Sequence, residues 1–286
     1  MSDADDQHAI HNSMAFKEHS VSPSAGALRG TLIGFWDQLP VHALRFALAV
    51  NALFVILYLM GVAFFAKAPN AFFLLSLERE GNPPSWWYGS QQLLVALVFL
   101  ALASKMFEFD ERIRPLRDLF RASALGFTFI SLDEVGELHE LGSRMLLGIK
   151  GIQTLESSFE QSVIHMKHHL HGGGLWIVVY AIVGLAVLMW LVPRVIAAYK
   201  IWPKEVTTVA IGFGIFAFSA AVLQVLGYFT KSGTPLHVLY VVVEQSLKMS
   251  GISIALFGAL KVLGASMQKL VQQLGEEARS PKLESP

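Results

Sequence analysis

VTTVAIGFGIFAFSAAVLQVLGY, residues 206–228, carries no charge from end to end. At about 1.5 Å of rise per residue, the run is long enough to cross the roughly 30 Å hydrocarbon core of a bilayer as one helix. In lipid the backbone must satisfy its own N–H and C=O groups, so a single apolar run of this length points to a helix. Comparable blocks lie on either side, at about 41–66, 86–104, 175–192 and 238–263. A sixth block, 116–135, is the least apolar. Its uncharged part, 122–132, rises only about 16 Å, so other helices must shield it. The expectation is an all-α integral membrane bundle of about six transmembrane helices, occupying residues 41–264.

Composition agrees. Of 286 residues, 53% are hydrophobic and 15% charged, with a mean hydropathy of +0.50; a soluble domain carries about a quarter charged residues. The expected partner is therefore the lipid bilayer. With 22 basic and 22 acidic residues the net charge is zero, which gives no reason to expect nucleic acid as a partner. The chain has no cysteine, so thiolate metal sites, disulfides and cysteine nucleophiles are excluded.

Outside the spans, residues 1–26 are polar and acidic and read as a disordered cytoplasmic tail; 265–286 read as a second cytoplasmic tail. Residues 27–40 place Leu28, Leu32, Phe35, Trp36 and Leu39 near one helical face, as a helix lying in the membrane interface would, although a loop is equally compatible. Trp86, Trp87 and Tyr88 read as an aromatic belt at a membrane surface. Basic residues concentrate in alternate connections: Lys105, Arg112, Arg114 and Arg117, then Arg194, Lys200 and Lys204. The positive-inside tendency then puts both termini in the cytoplasm and the connection 137–174 outside, in a cell inner membrane.

Charges inside spans need a physical reason, because each costs about 2.5–3.5 kcal/mol at the bilayer centre on insertion scales. The third span ends in Ser131-Leu-Asp-Glu-Val-Gly-Glu-Leu-His-Glu140. Asp133, Glu137 and Glu140 share a helical face there, with Glu134 and His139 nearby. The sixth span carries Glu244, Gln245 and Lys248, and Glu244 and Lys248 have the spacing and order of a helical ion pair. Rough heights for Gln91 and Gln92, Asp133 and Glu134, Gln224, and Glu244 all fall in the outer half of the membrane. The expectation is a shared polar cavity opening outward between helices.

Carboxylates with imidazole suit a divalent metal such as Zn, Fe or Mn. On that reading Asp133, His139 and Glu244 are ligands, and Glu134 or Glu140 is a general base for hydrolysis of a lipid or other apolar substrate. Two alternatives stand beside it: a proton-coupled transporter in which Asp133, Glu134 and Glu244 titrate, and a non-catalytic subunit held in a complex with a membrane-protein partner. A hydrogen-bonded network that locks helices together is the plainest account of the same residues. In the outer loop, His165, His168, His169 and His171 form a second cluster, beside the mobile run Gly172-Gly173-Gly174. Ser246, Ser250 and Ser253, with Gly251, and Gly212 with Gly214, suit close helix packing.

Three segments carry a resemblance: Leu77-Glu-Arg-Glu-Gly-Asn-Pro-Pro-Ser-Trp86; Ser131-Leu-Asp-Glu with His139-Glu140; and Val243-Glu-Gln-Ser-Leu-Lys-Met-Ser-Gly251. In these the chain resembles an uncharacterised bacterial multi-span membrane family with a Leu-Asp-Glu…His-Glu helix. The resemblance singles out Glu80, Asp133, Glu134, His139, Glu140 and Glu244 and implies no activity. Gln245 and Lys248 depart from its last-helix pattern, where further carboxylates are expected, and so favour an ion pair. Ser131, Asp133 and His139 are also similar in chemistry to ceramidase-type membrane hydrolases, but the sixth span has no histidine to complete that set.

Overall fold

The computed structural model describes residues 23–65, 76–77, 82–104, 116–136, 138, 175–223, 226, 230 and 234–277. The described chain forms six helices: α1 (Pro23–Phe65), α2 (Pro83–Ser104), α3 (Arg117–Gly136), α4 (Leu175–Ile201), α5 (Pro203–Phe218, continued by a π-helical turn Ser219–Leu223) and α6 (Pro235–Glu277). Five are long and apolar enough to cross a membrane; α3 is the sixth member of the bundle. The protein is a multi-pass, all-α membrane protein.

The chain divides into two units, one ending at Phe35 and one beginning at Trp36. The described part of the first is helical, with Thr31 Oγ1 donating to the Ala27 carbonyl at 3.0 Å and with Leu28, Leu32 and Phe35 exposed. Pro40 sits inside α1 with no N–H for the Trp36 carbonyl, and Gly264 of α6 packs against this carbonyl.

Helix starts follow the local sequence. Asn82 caps α2 by accepting from the Ser85 N–H at 3.1 Å, with Pro83 in the first turn. Thr234 caps α6 in the same way, taking the His237 N–H at 3.2 Å ahead of Pro235. Helix α6 runs on past the apolar span to Glu277, because Met267, Leu270, Val271 and Leu274 recur at helical spacing among good helix formers.

Lipid supplies no hydrophobic drive to bring helices together, so close packing must do it. The α5–α6 contact is built on glycine. A Cβ on Gly212 would lie 2.4 Å from the Ala255 nitrogen, and one on Gly251 2.7 Å from the Phe216 nitrogen. One on Gly258 would lie 2.8 Å from the Val209 nitrogen. Gly214 faces open space, so it takes no part. Helices α2 and α3 interlock through rings: Phe99 stacks on Phe120 and on Phe127, each at 6.0 Å. Phe127 then meets Phe213 of α5 edge to face.

Shielding of α3 is one-sided. Phe120, Ala124, Phe127 and Ser131 face the bundle, while Leu125, Phe129 and Leu132 are exposed and themselves apolar. Helix α4 is the outlier, with every residue from Ile182 to Trp190 exposed, as suits a lipid-facing span.

Candidate functional site

The polar residues of the spans sort into two groups with different bonding. The first ties three helices together. Asn51 of α1 is buried; its Oδ1 accepts from Trp87 Nε1 at 2.8 Å and Gln91 Nε2 at 3.2 Å, both on α2. Its Nδ2 donates to Ser253 Oγ of α6 at 3.0 Å. The Ser253 hydroxyl in turn lies 2.6 Å from Gln91 Oε1 and 2.8 Å from the Met249 carbonyl. Both ends of the Gln91 amide are therefore engaged. This is a helix clamp in which every side-chain polar atom has a partner.

The second group lies one helical step away and is left incomplete. Glu244 and Lys248 pair across one turn of α6 at 2.8 Å, with both side chains about nine-tenths buried. Below the Glu244 backbone, Ser219 at the start of the π-helical turn donates its hydroxyl to the Glu244 carbonyl at 2.7 Å. The same turn ends at Leu223, whose carbonyl accepts from the Tyr240 hydroxyl. A π-turn shifts the backbone register and is found preferentially at functional sites. Here it holds the glutamate's own stretch of α6.

Facing that pair, Tyr88 (2% exposed) and Gln92 (0%) stand one turn apart on α2. Among the described residues, the Tyr88 hydroxyl and both ends of the Gln92 amide are the buried side-chain polar atoms without a hydrogen-bond partner. Gln92 is close enough to Tyr88 for the two side chains to interact. Each such orphan costs about 1–3 kcal/mol. Tyr88 also lies within electrostatic range of Glu134 on α3 and Glu244 on α6. The end of α3 is fastened to α2 at this level: Ser131 Oγ donates to the Gly89 carbonyl at 2.8 Å and Ser85 Oγ to the Glu134 carbonyl at 3.2 Å. Gly89 is required there, since a Cβ would come 2.7 Å from Val135 Cγ2.

Of the residues singled out by sequence, Glu134 and Glu244 both act electrostatically on Tyr88, and Lys248 holds Glu244. Asp133 is half-buried, about 100° round α3 from Glu134. Gln91 belongs to the clamp. Glu80, Glu137, His139, Glu140, Gln224 and the His165–His171 cluster lie outside the described residues. Among the described residues no three His, Asp or Glu side chains form a group able to hold a metal.

Of the aromatic belt expected at 86–88, Tyr88 is the member the structure turns away from the surface. Successive helical residues point about 100° apart, so Trp86 is exposed, Trp87 bonds Asn51, and Tyr88 turns into the bundle. Asn51 and Tyr88 were not legible as site residues. An apolar span does not announce which face turns inward, and a tyrosine at a span end has an ordinary interfacial explanation.

No curated protein and no solved structure matches the chain. A family model described as a domain of unknown function, DUF8692, matches residues 43–262. That match runs from α1 into α6 and takes in both polar groups, and the chain belongs to the DUF8692 family.

Proposed function

We propose that this protein is a proton-coupled membrane transporter whose working site is formed by Tyr88, Gln92, Glu134, Glu244 and Lys248. The observation that carries the reading is the pairing of a buried Glu244–Lys248 ion pair with unbonded polar atoms on the facing helix. A bundle built only for stability would fill these positions with apolar side chains, because a buried ion pair is often no better than hydrophobic residues of similar volume. Ionisable residues within spans are rare, and ion and proton pathways are among the roles they mark. Protonation of Glu244 would cancel one charge of the pair and free Lys248, which gives the site two electrostatic states. In this reading both termini are cytoplasmic, the membrane is a cell's inner membrane, and the site lies toward the outer surface.

A metal-dependent hydrolytic site on Asp133, His139 and Glu244 has less support, because the Lys248 ammonium holds the Glu244 carboxylate. The test is proton movement. Purified protein in liposomes with a trapped pH-sensitive dye should pass protons under an imposed pH gradient. Glu244→Gln should reduce this at least tenfold, and Glu134→Gln should also lower it. Equal dye responses in protein-free liposomes and in liposomes carrying the wild-type protein would overturn the reading.

A further inference from the structure

Helix α4 carries a cation that no carboxylate of the described chain answers. Arg194 lies within Ile182–Ile201, a stretch apolar and long enough to cross a membrane. Measured from Trp202, at the turn between α4 and α5, it is about 12 Å back along the helix. Its neighbours Val192 and Ile196 are apolar and exposed, as a lipid-facing surface is. Among the described residues the Arg194 side chain bonds only to Trp190. The guanidinium carbon lies 3.8 Å from the Trp190 ring centroid, and Nη1 donates to the Trp190 carbonyl at 2.7 Å. Two acidic residues belong to this end of the bundle, Asp118 in the first turn of α3 and Glu205 in the first turn of α5. Neither forms an ion pair with Arg194.

A charge held within a span needs a counter-ion. A guanidinium has five N–H donors in a planar fork, and the bond to Trp190 uses one of them. The rest can meet two oxygens of a phosphate at once, from a fork that Trp190 already holds in place. The charges nearby favour an anion as well. Trp202 rests against Phe120 of α3, with ring centroids 6.4 Å apart, which brings Arg121 to the corner that carries Lys200 and Lys204. All three of these cations are exposed. A carboxylate on a neighbouring protein would itself have to be carried into hydrocarbon to reach Arg194. A phospholipid brings its phosphate to the membrane surface without that cost. In a zwitterionic lipid the phosphate has an ammonium of its own beside it, so the anionic kind gains more from Arg194.

From this we infer that Arg194, braced on Trp190, binds the phosphate of an anionic phospholipid from the leaflet at the α4–α5 corner. Lys200, Lys204 and Arg121 raise the local concentration of such lipids, and the Arg194 fork fixes one in place. The site uses none of the residues assigned to transport and stands whether or not the protein moves protons.

The experiment is thermal unfolding of the full-length protein in detergent, at constant ionic strength, with phosphatidylglycerol, phosphatidylcholine or soluble glycerol phosphate. Phosphatidylglycerol should raise the midpoint by about 2 °C or more beyond phosphatidylcholine near saturation, and glycerol phosphate should leave it unchanged. Arg194→Gln should remove the difference between the two lipids. Arg194→Lys, which keeps the charge and loses the fork, should retain less than half of it. The double variant Lys200→Gln with Lys204→Gln should retain more than half. Each comparison sets two lipids against one variant, so a variant that starts from a lower melting temperature is still informative. Equal shifts with the two lipids would overturn the inference, as would a glycerol phosphate shift equal to that of phosphatidylglycerol. So would a full lipid preference in Arg194→Gln. A wild type without lipid preference, whose association with a second protein chain is lost in Arg194→Gln, would overturn it in favour of a protein carboxylate.

Discussion

Two adjoining stretches of α6 hold the bundle by opposite means. From Gly251 to Gly258 the helix meets α5 backbone to backbone, with Gly251, Ala255 and Gly258 set against Val209, Gly212 and Phe216. From Glu244 to Lys248 it presents a buried ion pair to a helix face whose polar atoms are not all bonded. The first stretch gains everything from proximity and has nothing to lose by being rigid. The second keeps desolvated charge and unsatisfied amide in a place where leucine would pack better. The difference separates what builds the bundle from what the bundle is for. Within the first stretch, Ser253 sits in the Asn51–Gln91 clamp, where each polar atom has a partner and so behaves as structure.

The contrast can be broken at its strongest point first. Gly251→Leu places a side chain against the Phe216 and Gly212 backbones, neither of which can move aside. It should cost about 3 kcal/mol or more and leave little folded protein by size-exclusion chromatography in detergent. Next, Lys248→Met strands the Glu244 carboxylate and should destabilise by about 3–5 kcal/mol in a denaturation titration. The double variant Glu244→Leu with Lys248→Met should recover most of that loss, because both charges leave together. If the double variant is as unstable as the single one, the pair is structural and the comparison above fails. Ser253→Ala removes one member of the clamp and should cost about 1–3 kcal/mol. Leu188→Ala, on the lipid-facing side of α4, should change the melting midpoint least, within about 0.5 kcal/mol.

What could be read from sequence follows the range of the physics involved. Span positions and the Glu244–Lys248 pair depend on residues four or fewer apart, or on unbroken apolar length, and both are written locally. The helical extension to Glu277 is also local, in the spacing of Met267, Leu270, Val271 and Leu274. The inward faces of α1 and α2 were another matter. Asn51 and Tyr88 owe their roles to partners more than thirty residues away, and a uniformly apolar helix carries no polar face to orient it. For the same reason Gln91 and Gln92 look equivalent in sequence. Only the packing of partners around α2 gives the two amides different fates.

The account turns on Gln92 being kept for use and not for stability. Dye-reported proton flux in liposomes carrying Gln92→Leu, matched for amount of folded protein, tests this most directly. The prediction is at least a tenfold fall in flux from a protein that melts no lower than wild type. Wild-type flux from that variant would contradict it.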